Sequence, residues 1–308
     1  MLTLEDVLKN PVIPRVEATD SLKKAAKVIC EGGIGAALAL DDQERINYLI
    51  TKTDVVRAVA KGEDLEITTV EEYGTPSPLK LSGDKDLISA LRLLKEYRIS
   101  HVLVTHDNKL KGILYIRDIV FALTEFIPSG KLNLGNVSKR IPRLDERATI
   151  ADVATEIVNM DTEAAFVGSK LVTDESVLRS AAYGDPYSDL ALNYAAQRVI
   201  TTDPLTDLEC AVRLMRTNNT DKLVVWKGKI ASIKDIGYIL PDIVKELTRY
   251  VLLLKGGDVD RLEGLQNVKV IKTIGKYNAI VIVEGEDALK NVSRRIGDKE
   301  LVVLVELP

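Results

Sequence analysis

The residues of this chain best suited to ligand chemistry are polar side chains that close short hydrophobic segments. Three of the segments end at Asp54, Asp118 and Asp235, and a fourth ends at Ser176. An ionised carboxylate accepts hydrogen bonds from a vicinal diol, and such charge-assisted bonds are stronger than neutral ones. A Ser or Thr three residues earlier can donate a hydrogen bond to a phosphate, and a helix that begins there adds an anion site. The pattern therefore favours binding of a small polar ligand.

The four segments lie about 60 residues apart, which indicates that one supersecondary unit is repeated four times. Before each segment, a Ser, Thr or Asp leads a run with apolar residues at helical spacing, as at a capped helix start; these leading residues are Ser21, Asp86, Thr149 and Asp207. A short β-branched run, a turn and the segment itself then predict a β-hairpin, and a second helix follows. Each unit is therefore predicted to contain strand, helix, strand, strand and helix.

The composition of the 308 residues suits a globular protein of two or three domains, because 46% of them are hydrophobic. The formal net charge of −4 argues against a nucleic-acid partner, since such binding needs a clustered positive face. The two cysteines imply no disulfide framework, and the N-terminus lacks the apolar core of a signal peptide. No apolar run reaches the roughly 18 residues of a membrane span, so we expect a cytoplasmic protein without a membrane partner.

Patterns for catalysis and for metal binding are missing from the sequence. Its histidines are His101 and His106, and no Cys-x-x-Cys or His-x-x-x-His pair occurs, so no metal site is predicted. No Gly-x-Ser-x-Gly elbow or other nucleophile–base pair is visible. The chain is therefore expected not to be an enzyme.

The repeated unit resembles the CBS domain, named after cystathionine β-synthase, over residues 8–247. In that family each unit ends in a hydrophobic residue followed by Ser/Thr-x-Ser/Thr-Asp, as in Thr51-Lys52-Thr53-Asp54 of this chain. Two family units pack with pseudo-twofold symmetry into a Bateman module. The resemblance implies one module over residues 1–126 and another over residues 127–248. The functional analogue would be a four-repeat adenine-nucleotide sensor, such as the γ subunit of AMP-activated protein kinase.

Residues 249–308 do not continue the repeat. Their pattern predicts the order βαββαβ of a ferredoxin-like domain, with a first helix over 258–265. The run 275–284 and the helix after it resemble the small effector domain of the leucine-responsive regulatory protein family, and also ACT domains. That resemblance implies dimerisation, with amino-acid binding as the more specific alternative. The predicted fold class is thus α/β (α+β), with two tandem CBS-pair modules of βαββα units and a C-terminal ferredoxin-like domain.

The CBS resemblance also implies where ligands would bind, because the signature of one unit faces the base pocket of its partner unit. The first cleft would take its signature from the first unit and its base side from the second: Thr51, Thr53 and Asp54, then Ile99, Ser100 and His101. The second cleft would reverse the two units: Tyr115, Arg117 and Asp118, then Ile34, Gly35 and Ala36. Tyr115 departs from the family's Ser or Thr, and its bulk would narrow this cleft.

The second module would hold one good cleft and one poor one. The good cleft carries Ser232, Lys234 and Asp235, with its base side near Ala164 and Ala165. In the poor cleft Ser176 replaces the aspartate, so we expect weak or no nucleoside binding there. At the phosphate end, His101 and Lys222 occupy equivalent places that often carry a basic phosphate contact in the family.

The resemblance favours a regulatory sensor that binds AMP, with ADP or ATP as alternatives, and that acts on an unknown protein partner or through a homodimer. An S-adenosylmethionine or other adenosyl sensor would use the same clefts. A transcription-related regulator is suggested by the C-terminal resemblance, although no helix-turn-helix is visible. A structural scaffold with vestigial clefts is the third alternative, because an Asp at a strand–helix junction can simply cap the helix.

Overall fold

The computed structural model describes residues 2–8, 13–41, 45–130, 132–226, 228–245, 249–254, 259–262, 264–266, 268–272, 279–284, 286–296 and 301–307. The first half begins with helix α1 (Leu4–Val7). Unit one then contains β1 (Arg15–Val16), α2 (Leu22–Gly32), β2 (Ala36–Leu40), β3 (Ile46–Thr51) and α3 (Lys52–Lys61). After α4 (Val70–Tyr73) and β4 (Thr75–Pro76), unit two contains β5 (Lys80–Ser82), α5 (Leu87–Glu96), β6 (His101–His106), β7 (Lys109–Tyr115) and α6 (Ile116–Ala122), and a 3-10 helix follows (Thr124–Phe126).

The second half repeats this order after α7 (Leu134–Val137) and β8 (Lys139–Arg140). Unit three contains β9 (Arg143–Leu144), α8 (Ile150–Asn159), β10 (Ala164–Val167), β11 (Lys170–Thr173) and α9 (Asp174–Tyr183), followed by a 3-10 helix (Ala191–Tyr194). Unit four contains β12 (Thr201–Thr202), α10 (Leu208–Thr217), β13 (Lys222–Val225), β14 (Lys229–Ser232) and α11 (Ile233–Lys245).

All four units share one topology, which confirms the predicted strand, helix, strand, strand, helix order. In each unit the first strand pairs in parallel with the second, and the second pairs antiparallel with the third. The predicted leading residues cap the first helices. Ser21 and Thr149 accept hydrogen bonds from the backbone N–H three residues on, Asp86 does the same at 2.8 Å, and Asp207 accepts from the N–H of Glu209.

The units pack in two different ways. Within each half the sheets meet: Leu38 of unit one lies in one apolar cluster with Leu103 of unit two, and Ala164 of unit three lies in another with Val224 of unit four. Across the halves the helices meet, α2 with α9 and α3 with α8, and α11 packs against α5 and α6. Two large cores result, one shared by units one and three and the other by units two and four. The four units therefore surround a common centre.

Gly237 allows one of these helix contacts to be close. A Cβ added to this residue of α11 would lie 2.6 Å from Cδ1 of Ile116 and 3.1 Å from Cγ2 of Val120, both in α6. A larger side chain would have to push α11 and α6 apart, since cores are close-packed. The glycine thus fixes how near units two and four approach.

The C-terminal part forms a four-stranded antiparallel sheet from β15 (Arg249–Leu254), β16 (Val268–Lys272), β17 (Ala279–Glu284) and β18 (Leu301–Leu307), with α12 at Glu286–Ile296. Its strand order is β16-β17-β15-β18, which is the predicted ferredoxin-like arrangement. The helix predicted over 258–265 is only a 3-10 helix at Val259–Leu262. Gly264 follows with φ +82°, a left-handed conformation that cannot continue the helix. Residues 275–278, which begin the run resembling the effector domains, lie outside the described residues, so that resemblance stays a prediction.

Within the described ranges, none of the helices combines the length and the apolar character needed to cross a membrane.

Candidate functional site

A cavity of about 90 Å³ lies where the four units meet. One backbone hydrogen bond is repeated around it: the first N–H of each unit's second helix donates to the carbonyl of the residue before the hairpin. The pairs are Lys52 to Gly35 (2.9 Å), Ile116 to Ser100 (2.7 Å), Asp174 to Glu163 (3.0 Å) and Ile233 to Asp221 (2.8 Å). All four acceptor residues line the cavity. The site is therefore built from the same turn of every unit.

His101 closes the cavity between units one and two. Its side chain is buried, with Nε2 2.8 Å from the carbonyl oxygen of Ile34 and Nδ1 3.2 Å from Oγ of Ser100. Burial lowers the pKa of His101 to about 4, against the opposing effect of the Ile34 hydrogen bond. A neutral imidazole protonated on Nε2 fits both contacts, donating to the carbonyl and accepting from the Ser100 hydroxyl. The ring also stacks on Tyr115, with centroids 4.8 Å apart.

Gly35 makes the approach of His101 possible. This residue has φ +71°, and a Cβ placed on it would lie 3.4 Å from Nε2 of His101. A side chain here would be strained by the left-handed backbone and would crowd the imidazole. The turn of unit one is thus fitted to the histidine of unit two.

Lys52 and Lys222 share one carboxylate, that of Asp174. Nζ of Lys52 lies 3.0 Å from Oδ2 of Asp174, and Nζ of Lys222 lies 2.9 Å from Oδ1. Burial alone lowers the pKa of each lysine, but Asp174 and the neighbouring acid Glu163 act in the opposite direction, and with the other nearby acids they hold both values above the ordinary one. Burial likewise raises the pKa of Asp174, yet Lys222 and Lys52 together hold it well below its ordinary value. All three groups are therefore charged near neutral pH.

Arg117 makes a second ion pair between the halves. Its Nη1 lies 3.4 Å from Oδ1 of Asp221, and its guanidinium lies 5.5 Å from the centroid of the Tyr115 ring. Burial lowers the pKa of Arg117, but Asp221 and Asp118 more than offset this. The cation is held at the cavity wall by an acid from unit four.

Seven of the predicted site residues line this cavity, and they come from both first-half clefts: Ile34, Gly35, Thr53, Ser100, His101, Tyr115 and Arg117. Lys222 is not among the lining residues, but its Nζ contacts the carboxylate of Asp174, which lines the cavity. The other predicted residues are described by the structure but do not line the cavity: Thr51, Asp54, Ile99, Ala36, Asp118, Ser232, Lys234 and Asp235.

Asp54 caps helix α3. Its Oδ2 accepts hydrogen bonds from the backbone N–H of Thr51 at 2.9 Å and from Oγ1 of Thr51 at 2.7 Å, and Oδ1 lies 3.6 Å from Nη1 of Arg57. The residue is 7% exposed, and burial raises the pKa of its carboxyl against the lowering effect of Thr51. The capping box accounts for one of its oxygens, and the other faces a guanidinium.

Asp235 has the same local role in unit four. Oγ of Ser232 donates to Oδ2 of Asp235 at 2.9 Å, and Nζ of Lys139 lies 2.7 Å from Oδ1. Lys234 extends over the ring of Tyr238, with Nζ 5.9 Å from the centroid. A ligand at this signature would have to replace the contact with Lys139.

The remaining predicted residues make local contacts. The carbonyl of Ile99 accepts a hydrogen bond from the hydroxyl of Tyr238 at 3.1 Å. Ala36 is fully buried where the sheets of units one and two meet. Oδ1 of Asp118 lies 3.8 Å from Nε of Arg117.

Five charged residues of the cavity were not predicted: Lys52, Glu163, Asp174, Glu175 and Asp221. The repeat alignment contained a signal for three of them. Glu163 and Asp221 stand where Ser100 stands in unit two, and Asp174 stands where Lys52 stands in unit one. Ser100 was predicted to lie at the base side of a cleft, but the equivalent residues of the second half, Glu163 and Asp221, were not.

Comparison with known proteins identifies the repeated unit. A family model described as the CBS domain matches residues 70–125. The chain contains a CBS domain. The matched segment covers nearly all of unit two, from α4 to the 3-10 helix after α6, and the other three units share its topology.

One solved structure shares the fold of most of this chain. A Methanocaldococcus jannaschii protein, described as a proposed archaeal homolog of g-AMPK, superposes with a TM-score of 0.64 and 16% identity, over 77% of this chain and 99% of that chain. At that identity the similarity shows the fold alone, which extends over most of the chain. A Pyrobaculum aerophilum CBS domain protein complexed with AMP covers 38% of this chain and 88% of that chain, with 24% identity and a TM-score of 0.35.

Curated relatives match a smaller part. A 17.7 kDa protein of Acidianus ambivalens is 31% identical over 111 residues, which is 36% of this chain and 66% of the relative. Arabinose 5-phosphate isomerase KdsD of Escherichia coli is 25% identical over 123 residues, which is 40% of this chain and 38% of the enzyme. The chain thus spans less than two thirds of the length of either relative.

Proposed function

We propose that this protein is a regulatory adenine-nucleotide-binding protein, with AMP as the favoured ligand and ADP or ATP as alternatives. One observation carries the proposal: the cavity joins Lys52 and Thr53, at the signature of unit one, to Ser100 and His101, at the base side of unit two. This is the cross-unit arrangement that the CBS resemblance implies for a nucleotide cleft. The CBS domain itself supports a regulatory role.

The charges and donors at the cavity suit a phosphorylated ligand. Lys52 and Arg117 supply cations, and Arg117 can bind two phosphate oxygens at once. Thr53 supplies a hydroxyl on the side that is open to solvent. Ile34 and Gly35 supply a small apolar turn and backbone groups for the edge of a base. The ligand would therefore lie with its phosphate toward the lysine and its base toward the turns.

The volume of the cavity implies that binding rearranges it. Its 90 Å³ is well below the roughly 300 Å³ at which small-molecule pockets begin, and corresponds to about three water molecules. A nucleotide must therefore displace contacts that close the site, such as the hydrogen bond of His101 to Ile34 and the ion pair of Arg117 with Asp221. Since these contacts join different units, binding would favour one arrangement of the units over another.

Isothermal titration calorimetry with AMP, ADP, ATP and adenosine tests the proposal. We expect saturable binding of AMP, and a Lys52→Met variant should bind AMP more weakly while its affinity for adenosine changes less. Lys109→Met is the matched control, because Lys109 is exposed at the tip of the β6–β7 hairpin. Absence of saturable binding of any adenine nucleotide would refute the proposal.

The acidic side chains of the cavity favour one second candidate, a sensor of S-adenosylmethionine. Glu163, Asp174, Glu175 and Asp221 all line the cavity, and carboxylates would attract a sulfonium cation as well as they repel phosphate. The same titration with S-adenosylmethionine separates the two candidates. Tighter binding of the sulfonium ligand than of AMP would replace the first proposal by the second.

We also propose that the chain divides functionally into residues 1–126, 127–248 and 249–308, and that the C-terminal domain forms a homodimer. β16 and β18 are the edge strands of its four-stranded sheet, and an edge strand can pair with a second copy. Light scattering coupled to gel filtration should give a dimer for the full chain and a smaller species after removal of residues 249–308. A monomeric full chain would contradict this part of the proposal.

A further inference from the structure

The charges at the cavity are divided between the two halves of the chain. The first half contributes the cations Lys52 and Arg117, and the second half contributes the acids Glu163, Asp174 and Asp221. The ion pairs of Lys52 with Asp174 and of Arg117 with Asp221 therefore cross between the halves. The groups best placed to hold a phosphate already hold carboxylates.

Asp174 makes the shortest contacts with cations among these acids. It is 7% exposed, and its two oxygens separately contact Nζ of Lys52 at 3.0 Å and Nζ of Lys222 at 2.9 Å. Two short contacts from ammonium groups to two oxygens of one anion are what a bound phosphate would receive from the same lysines. A phosphate and this carboxylate cannot both make the contacts.

We propose that Asp174 is a specificity-determining residue, an internal carboxylate that competes with ligand phosphate for Lys52 and limits the phosphate charge that the cavity accepts. The inference rests on the proposed function, since it concerns the same cavity. A monophosphate has to displace one carboxylate. Each further phosphate adds negative charge beside Glu163 and Glu175, which also line the cavity. Affinity should therefore fall from AMP to ATP, while adenosine is indifferent to Asp174.

Replacement of Asp174 by asparagine tests the competition, because the amide keeps the shape and removes the charge. Calorimetry with AMP, ATP and adenosine on D174N should show AMP bound at least about tenfold more tightly than by the parent, ATP gaining more than AMP, and adenosine unchanged. Asp84→Asn is the matched control, since Asp84 is exposed in a turn of unit two, and it should leave all three affinities unchanged.

Two results would overturn the inference. Equal tightening for adenosine and AMP would mean that the variant only loosens the cavity, and no tightening for AMP would mean that Asp174 does not compete. If D174N fails to fold, judged by circular dichroism, Glu175→Gln serves instead, since Oε2 of Glu175 lies 3.5 Å from the same Nζ and is half exposed. It should act in the same direction with a smaller gain, and an unchanged AMP affinity would again overturn the inference.

Inorganic phosphate separates this inference from the proposed function. If the parent binds no adenine nucleotide, the proposed function fails, but the competition is still measurable. D174N should then bind inorganic phosphate more tightly than the parent in the same calorimetric titration. Equal phosphate binding by the two proteins would reject the inference as well.

Discussion

Lowering the pH should destabilise this protein through one buried imidazole, that of His101. In the folded state its pKa is about 4, because burial disfavours the charged form, whereas an unfolded histidine has a pKa near 6.5. Below pH 6.5 the unfolded state therefore takes up a proton that the folded state does not. Its contribution to stability is complete above pH 6.5 and is lost progressively as the pH falls toward 4. At about 1.4 kcal/mol per pKa unit, the loss amounts to about 3 kcal/mol.

Urea unfolding at several pH values between 7 and 4 measures this effect. Carboxylates also titrate in that range, so the informative quantity is the difference between the parent and a His101→Gln variant, whose amide can still donate to the Ile34 carbonyl. The parent should lose about 3 kcal/mol relative to the variant across the range. His106→Gln is the control, because the side chain of His106 is half exposed. Parallel pH profiles for the parent and His101→Gln would refute the assignment of a buried, neutral imidazole.

Two further predictions concern packing and the signature aspartates. Leu240→Ala should lower the free energy of unfolding by about 2–5 kcal/mol, because Leu240 is fully buried in the core of units two and four. Leu205→Ala is the control, since Leu205 is 78% exposed and its truncation should change that free energy by less than about 0.5 kcal/mol. Similar urea midpoints for the two variants would contradict the packing. Asp54 and Asp235 do not line the cavity, so Asp54→Ala and Asp235→Ala should bind AMP in calorimetry like the parent, and Asp54→Ala should cost about 0.5–2 kcal/mol of stability through its cap. Loss of one nucleotide equivalent in either variant would show that the signature aspartate holds a ligand outside the cavity.

The four-unit architecture could be predicted because its signals are local. Helix starts such as Ser21 and Asp86 carry their caps within three residues, and the hairpins alternate turn residues with β-branched runs. The strand order of the C-terminal sheet followed from the predicted succession of elements. Among the described residues of that domain, the first helix differs from the prediction, because the left-handed backbone at Gly264 ends it early.

The pairing of units across the centre could not be predicted, since all four units carry similar amphipathic helices. Lys52 and Asp174 are far apart in sequence, and both occupy the position of the family signature that accepts any residue, so their contact becomes visible only once α3 and α9 are placed together. Asp54 shows the converse difficulty. A carboxylate three residues after Thr51 satisfies the pattern of a helix cap and that of a ligand signature equally well.

A crystal structure of the protein bound to AMP would show whether the central cavity is the nucleotide site. We expect the AMP phosphate to lie within hydrogen-bond distance of Nζ of Lys52 and of the guanidinium of Arg117, with the contact between Lys52 and Asp174 broken. AMP bound away from this cavity, with Lys52 still paired to Asp174 and His101 still bonded to Ile34, would contradict it.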